Sequence, residues 1–320
     1  MPDSVQTPIT QAMNEGALTR KELKHLMQRS DRPGLIRLVI WFALLGLTSA
    51  FVYWSLGTWW QAFAMFVHGI VLVHHFSLQH ECCHYTAFRT RWLNDLVGNV
   101  CGLVIMLPNR FFRYEHCDHH TYTQVQGKDT EMIELPKSLR GYLWYLSSVP
   151  YWQAKLSEIW RHSRGRISSD DKKFVPREEY QTVIIEARLM VLFYVLVLTI
   201  SIGFQSLDAL WFWLLPVLMG EPVMRAIRMT EHVGRPMVHD MKANTRSNAV
   251  SLPWRFLCWN MNYHAEHHYA SSVPFFALPE LHSKLNGYIH IEPSGYLGAH
   301  RDILSQLTGR KPRQDSPTQV

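Results

Sequence analysis

Leu38-Val-Ile-Trp-Phe-Ala-Leu-Leu-Gly-Leu-Thr-Ser-Ala-Phe-Val-Tyr-Trp-Ser55 opens a stretch without lysine or arginine that runs on to Phe88. A second such stretch covers Leu189 to Met224, and all 32 basic residues of the 320-residue chain lie outside the two. A soluble protein has no reason to exclude cations over such lengths. A bilayer does, because a cation at its centre costs roughly 2.5–3.5 kcal/mol on the insertion scale. The mean hydropathy of −0.10 hides this segregation by averaging. The chain reads as an integral membrane protein.

Each stretch has room for two spans of about 20 residues. The first divides into Leu35–Ser55 and Trp59–Leu78 around Leu56-Gly57-Thr58, the second into Leu189–Gly203 and Leu207–Met219 around Gln205–Asp208. Trp54, Trp59, Trp60, Trp211 and Trp213 gather near the two turns, where aromatic belts sit. Both turns lack basic residues, which crowd the N-terminus, the middle segment and the C-terminus. The positive-inside rule then returns both hairpins to the cytoplasm, with both termini there. The fold expected is all-α and integral to the membrane: four transmembrane helices in two hairpins with a cytoplasmic helical cap. Ala87–Asn109, interrupted by Asn94, Asp95 and Asn99, reads as a helix at the cytoplasmic interface, not as a fifth span.

Three histidine clusters follow the hydrophobic blocks: His80-Glu-Cys-Cys-His84, then His116, His119 and His120, then His264, His267 and His268. On a helix, positions i, i+3 and i+4 share one face, so each cluster projects its imidazoles together. Neutral imidazole is a ligand for iron, zinc and copper. Eight histidines exceed one tetrahedral zinc and suit two metals that keep open positions. The topology puts all three clusters on the cytoplasmic side. His232, between the second hairpin and the last cluster, is placed to be a ninth ligand. His68, His74 and His75 lie within the second span and are not assigned as ligands. Carboxylates stand beside the clusters at Glu81, Glu115, Asp118, Glu231 and Glu266, candidates to accept the second ring N–H of a ligand. Cys82, Cys83 and Cys117 lack CxxC spacing and read as small fillers. Five cysteines near the cytoplasmic side form no disulfide framework.

The histidine set around two membrane hairpins resembles the membrane fatty acid desaturase superfamily. That resemblance covers roughly Leu35–Leu285 and implies two non-haem iron ions, O2 as co-substrate and hydrogen abstraction from an unactivated C–H. In the acyl-CoA branch the additional histidine follows an asparagine in an Asn-xxx-His pattern, and Arg228 stands at that place here. Asn244-Thr-Arg246, Trp259-Asn-Met261 and Val273-Pro-Phe275 are similar to a bacterial branch that includes dihydrorhizobitoxine desaturase-like proteins. The substrate implied is a fatty acyl chain or lipid in the bilayer. No cysteine pattern for an iron–sulfur cluster is present, so an external donor, ferredoxin-like or cytochrome b5-like, is implied. The net charge of +6 suits anionic lipid headgroups or an acidic protein. Nothing points to nucleic acid.

Three other readings compete. A hydroxylase or oxygenase on the same scaffold shares the first C–H cleavage. A desaturase of a small amino-acid-derived substrate fits the bacterial resemblance. His80-Glu81-Cys-Cys-His84 also spells the HExxH of a zinc intramembrane protease, a reading that leaves the other two clusters without a role. Residues 1–34 are expected as a cytoplasmic or interfacial segment. Leu18, Leu23, Leu26 and Met27 form its apolar side, and no cleavable signal peptide is expected. Residues 35–308 make the membrane domain. Tyr142–Trp160 is aromatic enough to rest on the membrane, Arg161–Arg177 reads as a solvated loop, and residues 309–320 as a disordered tail.

Overall fold

The computed structural model describes residues 7–309; the expected disordered tail falls almost wholly outside them. Four helices are long and apolar enough to cross a membrane: Asp31–Ser55, Gln61–Cys83, Arg177–Gly203 and Leu210–His232. The fold is all-α apart from a two-residue parallel bridge pairing Ser247-Asn248 with Ile291-Glu292.

The second hairpin is longer than its hydrophobic runs, because paired cations extend it at the cap end. Its first helix begins far upstream of Leu189, with Val183, Ile184 and Ala187 buried, and Arg188 reaches out to donate to the carbonyl of Ser163 at 2.9 Å. Its second helix continues past Met219 to His232. Arg225 is neutralised there by Glu221 at 2.7 Å, and Arg228 is held between two carboxylates. A paired and buried guanidinium is compatible with a helix that leaves the bilayer for the cap.

Spans two and four form the centre of the bundle, with spans one and three outside. They cross at glycine: a Cβ on Gly69 would lie 2.0 Å from the carbonyl oxygen of Pro216, and one on Gly220 would lie 2.3 Å from that of Gly69. Only hydrogen at both positions permits backbone contact of this kind. His68 ties three spans together. Its Nε2 donates to the carbonyl of Phe212 at 3.0 Å and its Nδ1 meets the Thr48 hydroxyl at 2.8 Å. Phe212 lies in a π-helical turn, Leu210–Leu214. Span two breaks at His74, between Gln61–Val73 and His75–Cys83. The Nδ1–H groups of His74 and His75 donate to Ile70 and Leu72 carbonyls at 2.6 and 2.7 Å. Side-chain donors on the helical ladder are a recognised cause of kinks. These intramembrane histidines are therefore structural.

On the cap side, the helix Arg91–Ile105 lies against His75–Cys83 and is pinned to both later spans. Tyr194 and Trp213 donate to the carbonyls of Leu103 and Val104 at 3.1 and 2.7 Å. The central histidine helix, Asn109–Tyr122, follows a bend at Met106. The segment 161–177 is not a solvated loop. Asp171 is buried against His162 at 3.0 Å and Arg161 at 3.0 Å, and Val175 packs with Phe111 and Val183. The apolar side read for the N-terminal segment packs into the cap except at Met27, which is exposed. Leu18 and Leu26 pack with Tyr263, Leu278, Leu281 and Leu285, and Glu22 pairs with Lys284 at 2.7 Å. Residues 7–26 thus strap the last histidine cluster from outside.

Candidate metal centre

Nine imidazoles converge in two groups at the cap end of spans two and four. His80, His84, His116, His120 and His267 make one; His119, His232, His264 and His268 make the other. Within each group the facing nitrogens all lie within 4.8 Å of one another. All nine were expected from sequence, but the grouping was not, because it cuts across the clusters. The helix Asn109–Tyr122 sends His116 and His120 to one group and His119 to the other. His264–Tyr269 likewise splits His267 from His264 and His268. A helix turns about 100° per residue, so adjacent positions such as 119 and 120 cannot face one point. One helix between two ions serves both.

Ring orientation is set by the nitrogen that faces away. His116 and His119 donate their Nδ1–H to Glu131 and Asp129, each at 2.7 Å. Nδ1 of His268 faces the Thr123 hydroxyl at 3.2 Å, and that hydroxyl gives its proton to the His119 carbonyl at 2.7 Å. Nδ1 of His232 donates to the carbonyl of Asn244 at 3.2 Å. Carboxylates and carbonyls only accept, so Nδ1 carries the proton in these rings and the lone pair lies on Nε2. Those lone pairs point inward. Nε2 of His120 lies 3.0 Å from that of His116 and 3.1 Å from that of His267. Nε2 of His264 lies 2.9 Å from that of His232 and 3.0 Å from that of His268. Two nitrogens at about 2.0–2.1 Å from one ion are about 3.0 Å apart when set at right angles and about 3.4 Å apart in a tetrahedron. The spacing is short enough for the paired nitrogens to share one ion. Both ring nitrogens of His80, Nε2 of His84 and Nε2 of His119 are buried without a hydrogen-bond partner among the described residues. Orphaned imidazole nitrogens in that number fit a metal.

Electrostatics favour the neutral, ligating form. Burial pushes His116, His120, His264, His267 and His268 well below the ordinary imidazole range, and neighbouring rings add to it. Burial, with Arg113 and Arg29 nearby, takes His84 down to about 3. His119 differs: burial pulls it down, but the bond to Asp129 and the charges of Glu131 and Asp129 outweigh it and raise it. A strong carboxylate partner of this kind makes a basic ligand.

Most of the carboxylates adjacent in sequence are not the acceptors. Glu81 takes hydrogen bonds from the Thr86 hydroxyl at 2.8 Å and the amide of Phe275 at 3.1 Å. Glu115 pairs with Lys155 at 3.2 Å. Asp118 is only half-buried and accepts from none of the nine rings. Glu266 bonds His282 and Ser247. Only Glu231 stands near a ligand candidate, 3.8 Å from Nδ1 of His264. A carboxylate next to a helical histidine in sequence points to another face, which is why adjacency failed. The acceptors come instead from the turn after the central helix, Gly127-Lys-Asp-Thr-Glu131. Gly127 adopts a φ of +76° there, and Asp129 also takes the Gln124 amide at 2.8 Å. Two carboxylates spaced two apart behind a glycine turn were the available signal. Cys82 and Cys83 are buried fillers as expected, whereas Cys117 is exposed.

The HExxH reading does not fit this geometry. His80 and His84 stand among three further imidazoles, and Glu81 is turned away into hydrogen bonds of its own. Beside His80 and His264 lies a narrow gap with room for no more than a water, lined by Phe76, Met224, Ile227 and Met261 on one side and by Arg228 and Glu231 on the other.

Residues 57–292 match the sequence profile of the fatty acid desaturase family. Among curated proteins, the chain is 23% identical to an sn-1 oleoyl-lipid 12-desaturase of Anabaena variabilis, over 84% of this chain and 82% of that one. It is 24% identical to the human sphingolipid delta(4)-desaturase, over 81% of this chain and 75% of that protein. An endoplasmic-reticulum omega-6 fatty acid desaturase of Brassica juncea is 29% identical over 33% of this chain and 25% of its own length.

Proposed function

The chain belongs to the fatty acid desaturase family, and from that premise we propose that it is an O2-dependent desaturase of acyl chains carried by membrane lipids. The observation that carries the reading is the convergence of nine imidazoles in two groups. His80, His84, His116, His120 and His267 would hold one iron, and His119, His232, His264 and His268 the other. Iron bound there would activate O2, the oxidant that removes hydrogen from an unactivated methylene. Everything else belongs to the chain's own residues. Phe76, Met224, Ile227 and Met261 are the apolar side chains that stand beside His80 and His264. Glu131 and Asp129 fix the rings of His116 and His119. The four histidines of the second group are fully buried, which keeps bulk water from that half of the site.

The names of the cyanobacterial relatives specify oleoyl chains in lipids, which supports a lipid-borne substrate over a soluble thioester. Two electrons per turnover come from a separate ferredoxin-like or cytochrome b5-like donor, since the five cysteines are free and form no cluster motif. The placing of basic residues supports a cytoplasmic cap and termini. Metal analysis of detergent-purified protein with lipid profiling of an expressing strain tests the reading. Two irons per chain and new double bonds are expected. One zinc that survives His119→Ala would overturn it.

A further inference from the structure

Arg228 sits one turn before His232 and is buried, and its side-chain hydrogen bonds go to carboxylates, not to a histidine. Its guanidinium donates through Nη2 to Oε2 of Glu131 and through Nη1 to Oε2 of Glu231, each at 2.5 Å. The other oxygen of Glu131 accepts from Nδ1 of His116 at 2.7 Å. The other oxygen of Glu231 lies 3.8 Å from Nδ1 of His264, which has no hydrogen-bond partner among the described residues, so that link is electrostatic. His116 belongs to the first histidine group and His264 to the second. A hydrogen-bonded run of His116, Glu131, Arg228 and Glu231, closed by the electrostatic contact to His264, therefore lies behind the rings from one group to the other. The face of Phe76 lies 5.1 Å from the same guanidinium.

We propose that Arg228 is a positioning residue that couples the two metal sites, setting the orientation and donor strength of His116 and His264 together. The inference rests on the two-metal reading above. A carboxylate behind a metal-bound imidazole raises the ring's donor strength and fixes its plane. A cation on the second oxygen of that carboxylate moderates the effect and holds it in place. One planar guanidinium does this for two carboxylates at once because its fork of N–H groups can address two partners in one plane. Without it, two buried carboxylates would face each other with no cation between them, and each would turn to seek another donor. A disturbance at either histidine group is thereby transmitted to the other. Lysine offers a point charge on a flexible stem and cannot hold both carboxylates in the same way.

The test is sequential cobalt(II) loading of the purified full chain, reading affinity and the visible ligand-field spectrum of each site. The sites are assigned with His116→Ala and His264→Ala. Wild type must first take up two ions; fewer would overturn the two-metal reading and the bridge with it. Given two ions, Arg228→Gln is expected to weaken binding at both sites by on the order of 10–100-fold and to shift both spectra. Arg228→Lys is expected to restore the wild-type spectrum at one site only. If Arg228→Gln does not accumulate, Glu131→Gln serves. It removes a contact to the first group alone, and the bridge predicts a spectral change at the second. An arginine that merely braces the helix would lower thermal stability and leave both spectra unaltered. That result, or a change confined to one site, overturns the proposal.

Discussion

The carboxylate of Asp129 stands 2.7 Å from Nδ1 of His119, ten residues upstream, and both side chains are almost wholly buried. The central helix ends between them, and the glycine turn folds the acid back beneath the ring it follows. Its second oxygen takes the backbone amide of Gln124, so the carboxylate is fixed at both ends. Replacing Asp129 by Asn keeps the shape and removes the charge. Metal affinity at the His119 group is expected to fall on the order of 10–100-fold. Equilibrium loading of Asp129→Asn against wild type measures it, and unchanged affinity would remove Asp129 from the site.

His74 and His75 provide the opposite case, histidines close to the site in sequence that serve the backbone. Each donates to a carbonyl at the break in span two. His74→Ala or His75→Ala is expected to cost roughly 1–3 kcal/mol, the penalty for a buried group left unpaired. Metal content should stay at the wild-type value. A thermal melt in detergent with metal analysis on the same sample decides between a backbone role and a ligand role.

The crossing of spans two and four gives a steric prediction. Gly69→Ala puts a methyl group 2.0 Å from the Pro216 carbonyl oxygen and should destabilise the fold by at least about 1–3 kcal/mol through overpacking. Gly46→Ala is the control. Nothing lies within 4 Å of a Cβ there, and alanine is favoured over glycine in a helix by roughly 0.5–1 kcal/mol. Equal melting temperatures for the two variants would mean the spans do not cross at Gly69.

Asp171 predicts a pH dependence. Burial works to raise its pKa, but hydrogen bonds from His162 and Ser168 and the charge of Arg161 hold it below the ordinary 3.8. A carboxyl with a lowered folded pKa contributes stability that is complete above its unfolded value and drains away as pH falls below it. Metal-free wild type should therefore be more stable than Asp171→Asn at pH 7, with the gap narrowing as the pH drops below 3.8. Paired melts across that range check the sign, and a gap that widens in acid contradicts the pairing.

By itself the sequence determined the four spans, their hairpin order and the nine histidines. Each of these follows from a local rule. Bilayer energetics exclude cations over any run of the right length, as from Leu38 to Phe88, and helical spacing is a property of neighbouring positions. The sequence also marked Arg228 as a departure from the acyl-CoA branch without showing what the arginine does. Tertiary structure alone decided which histidine serves which group, because that depends on where two helices lie relative to a point between them. It also decided that Asp129 and Glu131, not Glu81, Glu115, Asp118 or Glu266, stand behind the rings. The full length of the second hairpin was hidden for a related reason. Arg188, Arg225 and Arg228 end a hydrophobic run as read in one dimension, but in the folded chain each finds a carbonyl or carboxylate from a distant or neighbouring turn. Local sequence fixes what a side chain can do; only the packing of helices brings it the partner with which to do it.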